Sequence, residues 1–367
     1  MKPIESEHSA GPGRNRNGSV IDWVQKAMAN CYFHSRMYLL VRHVRERYHL
    51  SVPPGGGWPR LEKRQGPTAR ILYYHRVNDD NDSFFPAIST ELFDREMQFV
   101  SRHYRVVSLD TLADHLDSDS SETLVSITFD DGYRDNYENA FPILRRHGLS
   151  ATIFLTTGSI DSREPLWFEQ LSLALKKTSR EKLDLETDPP LRFRIRTQPE
   201  RLEANGQIQK FLTDLPDVER RQWLARVLRA LGVEGDEERH GKMLTWEQVR
   251  YMRARGFDFG GHTITHPFLS RTTEQQACDE IFGCKASIEE ALQCPVRYFA
   301  YPNGHVPDVS QSNRDLVRRA GYRAAVTTTW GMNDSRTDKM ELRRGGPWED
   351  SPALFAYKLD WYQLTND

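Results

Sequence analysis

Two carboxylates stand side by side where an apolar run ends: in "VSITFDDG", Asp130 and Asp131 follow Phe129 and precede Gly132. Successive residues of a strand face opposite sides of its sheet, and an uncompensated charge is costly on a buried face. A pair kept here suggests work for both members. Further on, "FDFGGHTITH" brings His262 and His266 four residues apart after another apolar run. His75 ends "RILYYH", and Tyr301-Pro302-Asn303-Gly304 follows "VRYFA". Two imidazoles and a carboxylate, with positions left for water and substrate, suit a catalytic divalent metal. One aspartate would ligate the ion, while the other takes a proton from water that the ion has acidified. The plain alternatives are a turn for Asp-Asp-Gly and two surface histidines for "HTITH". The coincidence of both groups at strand ends favours the metal.

The text around these residues alternates. "RILYYH", "TLVSITF", "SATIFLTT", "FDFGGHT", "VRYFAYP" and "YRAAVTTTW" read as strands. Between them "TELFDREMQFVSRH", "LDTLADHL", "NAFPILRRH", "TWEQVRYMRARG", "TTEQQACDEIFGCKASIEEALQ" and "NRDLVRRAG" read as helices. Such alternation implies parallel strands covered by helices. In a parallel barrel the C-terminal strand ends converge on one mouth, which would collect these polar residues. The rhythm breaks over residues 161–245, where "WFEQLSLALKKTS" and "VERRQWLARVLRALG" read as helices of an insertion placed to act as a lid.

Residues 1–65 form a separate region: a polar tail, a helix starting at Ser19, and the linker "VPPGGGWPR". The helix carries Arg36, Arg42, Arg45 and Arg47 in its second half. That basic half allows peripheral membrane contact, and packing on the main domain is the plainer reading. No apolar run approaches the ~20 residues of a spanning helix, and no signal core opens the chain. A cytoplasmic protein, reaching to the inner membrane surface, is expected. A net charge of −2 argues against nucleic acid as a partner. The cysteines at 31, 278, 284 and 294 lack a C-x-x-C spacing and read as reduced or buried thiols.

These residues resemble the motifs of the polysaccharide deacetylase family, the NodB-homology domain of carbohydrate esterase family 4. "TFDDG" is identical to that family's first motif, "HTITH" fits its second, and "FAYPNG" resembles its third. The resemblance covers residues 70–160 and 246–345. It implies an α/β fold, a distorted (β/α)7-8 barrel over residues 66–367, with an N-terminal helical extension and the helical insertion. It also implies a metal-dependent hydrolase that removes N-acetyl groups from N-acetylated aminosugars of a polysaccharide or glycolipid. Carried over, Asp130 is the base, and Asp131, His262 and His266 are the metal ligands. The main-chain N–H of Asn303 helps hold the oxyanion. Zinc is the default ion, and cobalt, manganese or nickel suits the same donors.

Two departures stand out. The family's third motif has an arginine, which orients the base, where this chain has Ala300; Arg297, Arg134 and Arg76 are candidates to replace it. The last motif, L-x-x-H, is missing from the C-terminal part, since no histidine follows His305. "LYYH" at 72–75 supplies the same letters early. In this the chain is similar to the circularly permuted poly-N-acetylglucosamine deacetylases. His75 is therefore expected as the general acid, with Leu72, Tyr301 and Trp330 in the substrate pocket. Other outcomes stay open: a deformylase or deacetylase of a lipid-linked aminosugar, an O-acetyl esterase, or a non-catalytic glycan-binding barrel in a polysaccharide-synthesis complex.

Overall fold

In the computed structural model, residues 26, 28–30, 33, 48–51, 60–63, 66–162, 164–233, 243–346 and 351–361 are described. The expected polar tail, most of the basic helix, nearly all of the linker and Cys31 lie outside them. Strands Tyr48–Ser51 (β1) and Arg60–Lys63 (β2) pair as an antiparallel hairpin. The main sheet begins with Thr68–Tyr74 (β3), followed by helix Thr90–His103 (α1), the two-residue strand Arg105–Val106 (β4) and helix Leu109–His115 (α2). Strand Thr123–Phe129 (β5) runs parallel to β3 along its whole length. Helix Phe141–Arg146 (α3) leads to Thr152–Leu155 (β6).

The stretch after β6 holds helix Trp167–Lys177 (α4), a hairpin of Lys182–Leu185 (β7) and Leu191–Arg194 (β8), and helices Gln198–Asp214 (α5) and Asp217–Leu231 (α6). Trp246–Arg253 (α7), Asp258–Gly261 (β9), Glu274–Leu292 (α8), Tyr298–Ala300 (β10), Gln311–Arg319 (α9) and Ala324–Val326 (β11) resume the alternation. Strand Asn333–Asp334 (β12) and helix Pro352–Trp361 (α10) complete the described chain. Several helices start at a hydroxyl that accepts from the first turn: Ser89, Ser108, Thr245, Thr273 and Ser310.

The sheet order is β11-β10-β9-β6-β5-β3-β12, with β4 beside β5; β12 pairs antiparallel and the other pairs are parallel. This is the parallel, barrel-like α/β fold expected from the alternation. Residues 342–345 link its two ends. Leu342 N–H donates to Ala325 O at 2.9 Å, and Gly345 N–H donates to Ile71 O at 2.8 Å. Side-chain parity sorts the strands into two cores. Leu72, Tyr74, Ile127, Phe129, Phe299 and Tyr301 face the helices; Tyr74 and Phe129 meet Phe93 of α1, and Phe299 meets Tyr322. Ala69, Ile71, Phe154, Ala300 and Val326 line the opposite face with Leu342. By the same alternation Tyr73 and His75 belong to that second face.

Helix α5 and the β7–β8 hairpin were not foreseen. Helix α5 buries only Ala204, Ile208 and Leu212 and carries Gly206, so its helical period is faint in the text. The hairpin strands are four residues long and thick with charge. Among the described residues no helix is long and apolar enough to cross a membrane. Cys278, Cys284 and Cys294 are free thiols, and Cys284 is fully buried.

Candidate active site

The backbone resolves the problem of adjacent aspartates. Asp130 N–H still extends the strand pairing by donating to Tyr74 O at 3.0 Å. Asp131 then takes a left-handed conformation at φ 72, and Gly132 follows at φ 84. Gly132 N–H donates back to Asp130 O at 2.9 Å, closing a tight turn. The reversal lets two neighbours, each 2% exposed, present carboxylates to one site. Gly132 is required twice over: its φ favours glycine, and a Cβ there would meet Leu155 Cδ2 at 2.9 Å.

Asp131 Oδ1 lies 3.3 Å from His266 Nε2 and 3.5 Å from His262 Nε2. His262 Nδ1 meets Ala300 O at 2.7 Å; it must carry the proton, because a carbonyl only accepts, and Nε2 keeps its lone pair toward Asp131. Asp131 Oδ1 is buried with no hydrogen-bond partner. Such an acceptor normally finds a donor. Two imidazole nitrogens converging on an orphaned carboxylate oxygen make a donor set that could hold a divalent metal, and ligand atoms of these three residues lie within 4.8 Å of one another. The histidines ride on a loop after β9, not a helix, with Thr263 at φ 66 and His266 at φ 57. Glu280 of α8 braces this loop, accepting from Ile264 N–H at 2.7 Å and Thr265 N–H at 2.9 Å.

Asp130 has a different environment. Arg344 donates to both of its oxygens, Nη1 to Oδ1 and Nη2 to Oδ2, each at 2.7 Å. The same guanidinium donates to Thr327 O at 2.8 Å and lies over the Tyr73 ring at 4.9 Å. Burial disfavours the Asp130 charge, but the Arg344 guanidinium outweighs it and holds the carboxyl well below the usual range. For Asp131 burial acts with the neighbouring Asp130 charge and pushes the carboxyl well up. Burial lowers His262, against the pull of Asp130, and lowers His266 strongly. His75 meets Tyr73 edge-on at 5.9 Å, and burial brings it down to about 4 despite the nearby Asp130. It therefore stands as a neutral imidazole at neutral pH.

Among the described residues Asp130 is gripped by Arg344, not by Arg297, Arg134 or Arg76. Arg297 pairs with Asp110 and Arg76 with Asp135. Two expected pocket residues turn away from the site. Leu72 lies three positions before His75, hence on the other face of β3, and is 1% exposed in the core under the helices. Tyr301 follows Ala300 and shares that outer core, its ring 5.3 Å from Phe299. Asn303 is left-handed at φ 61. Its carbonyl accepts from the Thr328 hydroxyl at 2.7 Å, and its side chain is tied to Asp308. Trp330 is 37% exposed and lies over Gly345, where a Cβ would come within 3.1 Å of the indole.

A family model described as "Polysaccharide deacetylase" matches residues 117–325, more than half of the chain. The Bacillus subtilis (strain 168) protein YxkH, itself a candidate polysaccharide deacetylase, is 36% identical over 104 residues. That alignment spans 28% of this chain and 36% of YxkH. The fold is similar to the Streptococcus pyogenes deacetylase PplD, solved with acetate, at a TM-score of 0.53 and 18% identity, covering 78% of this chain and 96% of that one. It is also similar to a Bacillus cereus polysaccharide deacetylase at a TM-score of 0.52 and 17% identity, covering 83% and 72%. The family match includes Asp130, Asp131, His262, His266 and Asn303; His75, Trp330 and Arg344 lie outside it.

Proposed function

Since the chain belongs to the polysaccharide deacetylase family, we propose that it is a metal-dependent hydrolase removing N-acetyl groups from N-acetylated aminosugars of a polysaccharide or glycolipid. The observation that carries this reading is the contrast between neighbours: Asp131 meets two imidazoles, while Asp130 is ionised and locked in an arginine fork. Asp131, His262 and His266 would hold the ion, zinc by default, which supplies Lewis acidity toward water and the acyl oxygen.

Asp130 accepts the proton that the attacking water gives up. Arg344 orients its carboxylate and keeps it ionised over the working pH range. The proton does not rest there, because a carboxyl held so low returns it readily. His75, neutral before the reaction, takes up the proton that Asp130 gives back and delivers it to the departing amine, so that amide and water become amine and acetate. The main-chain N–H of Asn303 is the donor we assign to the developing oxyanion; one such donor is worth roughly 3–4 kcal/mol. The partly exposed indole of Trp330 offers an apolar wall for the acetyl methyl.

The test is acetate release from N-acetylglucosamine oligomers and from an N-acetylated aminosugar on a lipid, with zinc-loaded protein and Asp130→Asn side by side. Formylated and O-acetylated analogues in the same series separate deacetylase from deformylase and esterase. Turnover by the wild type alone supports the reading. Equal turnover by Asp130→Asn removes Asp130 as the base, and glycan binding without turnover by the loaded wild type makes the barrel a binding protein.

A further inference from the structure

The stretch between β6 and β9 has an apolar core of its own, built from Leu171, Leu175, Ile195, Ile208, Leu212 and Leu231. Phe268, two residues past His266, is part of that same core, so the stretch is bolted to the loop that carries a metal ligand. The first turn of α4 makes the closest approach. Trp167 Nε1–H donates to His266 O at 3.2 Å, and the Phe168 ring meets the His266 imidazole edge-on at 5.5 Å. Glu169, 5% exposed, accepts from Leu166 N–H at 3.3 Å and lies 3.8 Å from Arg76 Nη1. Tyr133, two residues past Asp131 and 3% exposed, packs with Leu166 just before this turn, and the Arg76 guanidinium lies over its ring at 4.8 Å.

A second line of contacts holds this turn in place. Arg220 of α6 lies over the Trp167 ring at 4.6 Å and pairs with Asp217, which accepts from Gln276 of α8 at 2.6 Å. Arg221 reaches Thr265 Oγ1, one residue before His266, at 3.3 Å. Left-handed backbone at Asp131 and His266 persists only where the surroundings over-determine it, and these contacts do so from outside the barrel. A stretch that moved as a lid would release them at each opening.

We infer that the first turn of α4 positions a metal ligand, with Trp167 orienting His266. The stretch between β6 and β9 is then a fixed buttress that sets metal affinity and ligand geometry. This rests on the proposed metal site and goes beyond it, since nothing in the reaction itself requires these residues.

The experiment uses the full chain, freed of metal and reloaded. Zinc Kd is measured by chelator competition for the wild type, Trp167→Phe, Ser172→Ala and His262→Ala, and the visible absorption of the cobalt-loaded proteins is recorded. Ser172 faces Asn205 inside the stretch and serves as the folding control. Outer-shell partners of this kind are worth about 10–100-fold in metal affinity. Trp167→Phe is expected to weaken zinc by that factor and to shift the cobalt band, with metal-free thermal unfolding near that of the wild type and Ser172→Ala unchanged. Wild-type Kd and spectra in Trp167→Phe would overturn the inference, even where His262→Ala loses zinc. Wild-type zinc binding in His262→Ala would overturn the metal site itself.

Discussion

Asp130 and Asp131 are adjacent and equally buried, yet the two sides of the molecule that hold them have opposite effects. From the C-terminal side, Arg344 comes between β11 and β3 and grips Asp130 with two hydrogen bonds, so the carboxylate stays charged. From the other side, Asp131 faces two neutral imidazoles, and the charges of Asp130 and Glu169 oppose its ionisation. Among the described residues no cationic side chain forks Asp131, and its charge is left for an ion to compensate. Residue type alone does not separate a base from a ligand; surroundings that push two pKa values apart do.

Breaking the Asp130 side at its centre gives the largest effect. Asp130→Asn is expected to lower kcat by about 10²–10⁴-fold, the range for general acid–base groups, with zinc still bound. A steady-state assay paired with metal analysis checks both halves. Next is Arg344→Ala. Removing one partner of a buried ion pair costs about 3–5 kcal/mol, so urea unfolding should shift markedly. In the wild type the depressed Asp130 pKa contributes stability that is present above the unfolded carboxyl value and lost as pH falls toward the folded one. Arg344→Ala should bring that loss to higher pH and move the acid limb of kcat/KM upward. Arg344→Lys keeps a charge but not the fork and should fall between. An unchanged acid limb in both would separate Arg344 from the base.

His75 sharpens the comparison through pH. Its folded pKa of about 4 lies below the ordinary value near 6.5. The unfolded chain therefore takes up a proton that the folded chain refuses, and stability falls as pH drops from about 6.5 to about 4. In metal-free protein His75→Gln should remove its share of that slope while lowering kcat; identical slopes in urea midpoint against pH would contradict a buried neutral imidazole. The smallest effect is expected at Trp330→Ala. An aromatic wall contributes about 0.5–1.5 kcal/mol beyond its buried area, so KM should rise roughly 2- to 10-fold with kcat and zinc content nearly unchanged.

Much of the site could be read from local text. Asp130, Asp131, His262 and His266 each follow an apolar run, and parallel strands bring their C-terminal ends together. The alternation that gave the strands and helices outside the stretch after β6 was equally local. Arg344 was not legible. It lies 214 positions from Asp130, in "ELRRGGPW", which belongs to no recognisable strand and acquires its place only by bridging β11 and β3. Leu72 and Tyr301 were misplaced although parity could have excluded them: an odd offset from His75, and adjacency to inward-facing Ala300, both put a side chain on the outer face. Trp167 gave no signal, because an aromatic side chain reads as core until the partner of its indole N–H is known.

The most direct test of the split between neighbours is zinc stoichiometry by mass spectrometry for the wild type, Asp130→Asn and Asp131→Asn, each reloaded and freed of excess metal. The account predicts about one zinc per chain in the wild type and in Asp130→Asn, and essentially none in Asp131→Asn. Equal zinc in both mutants, or its loss only from Asp130→Asn, would contradict it.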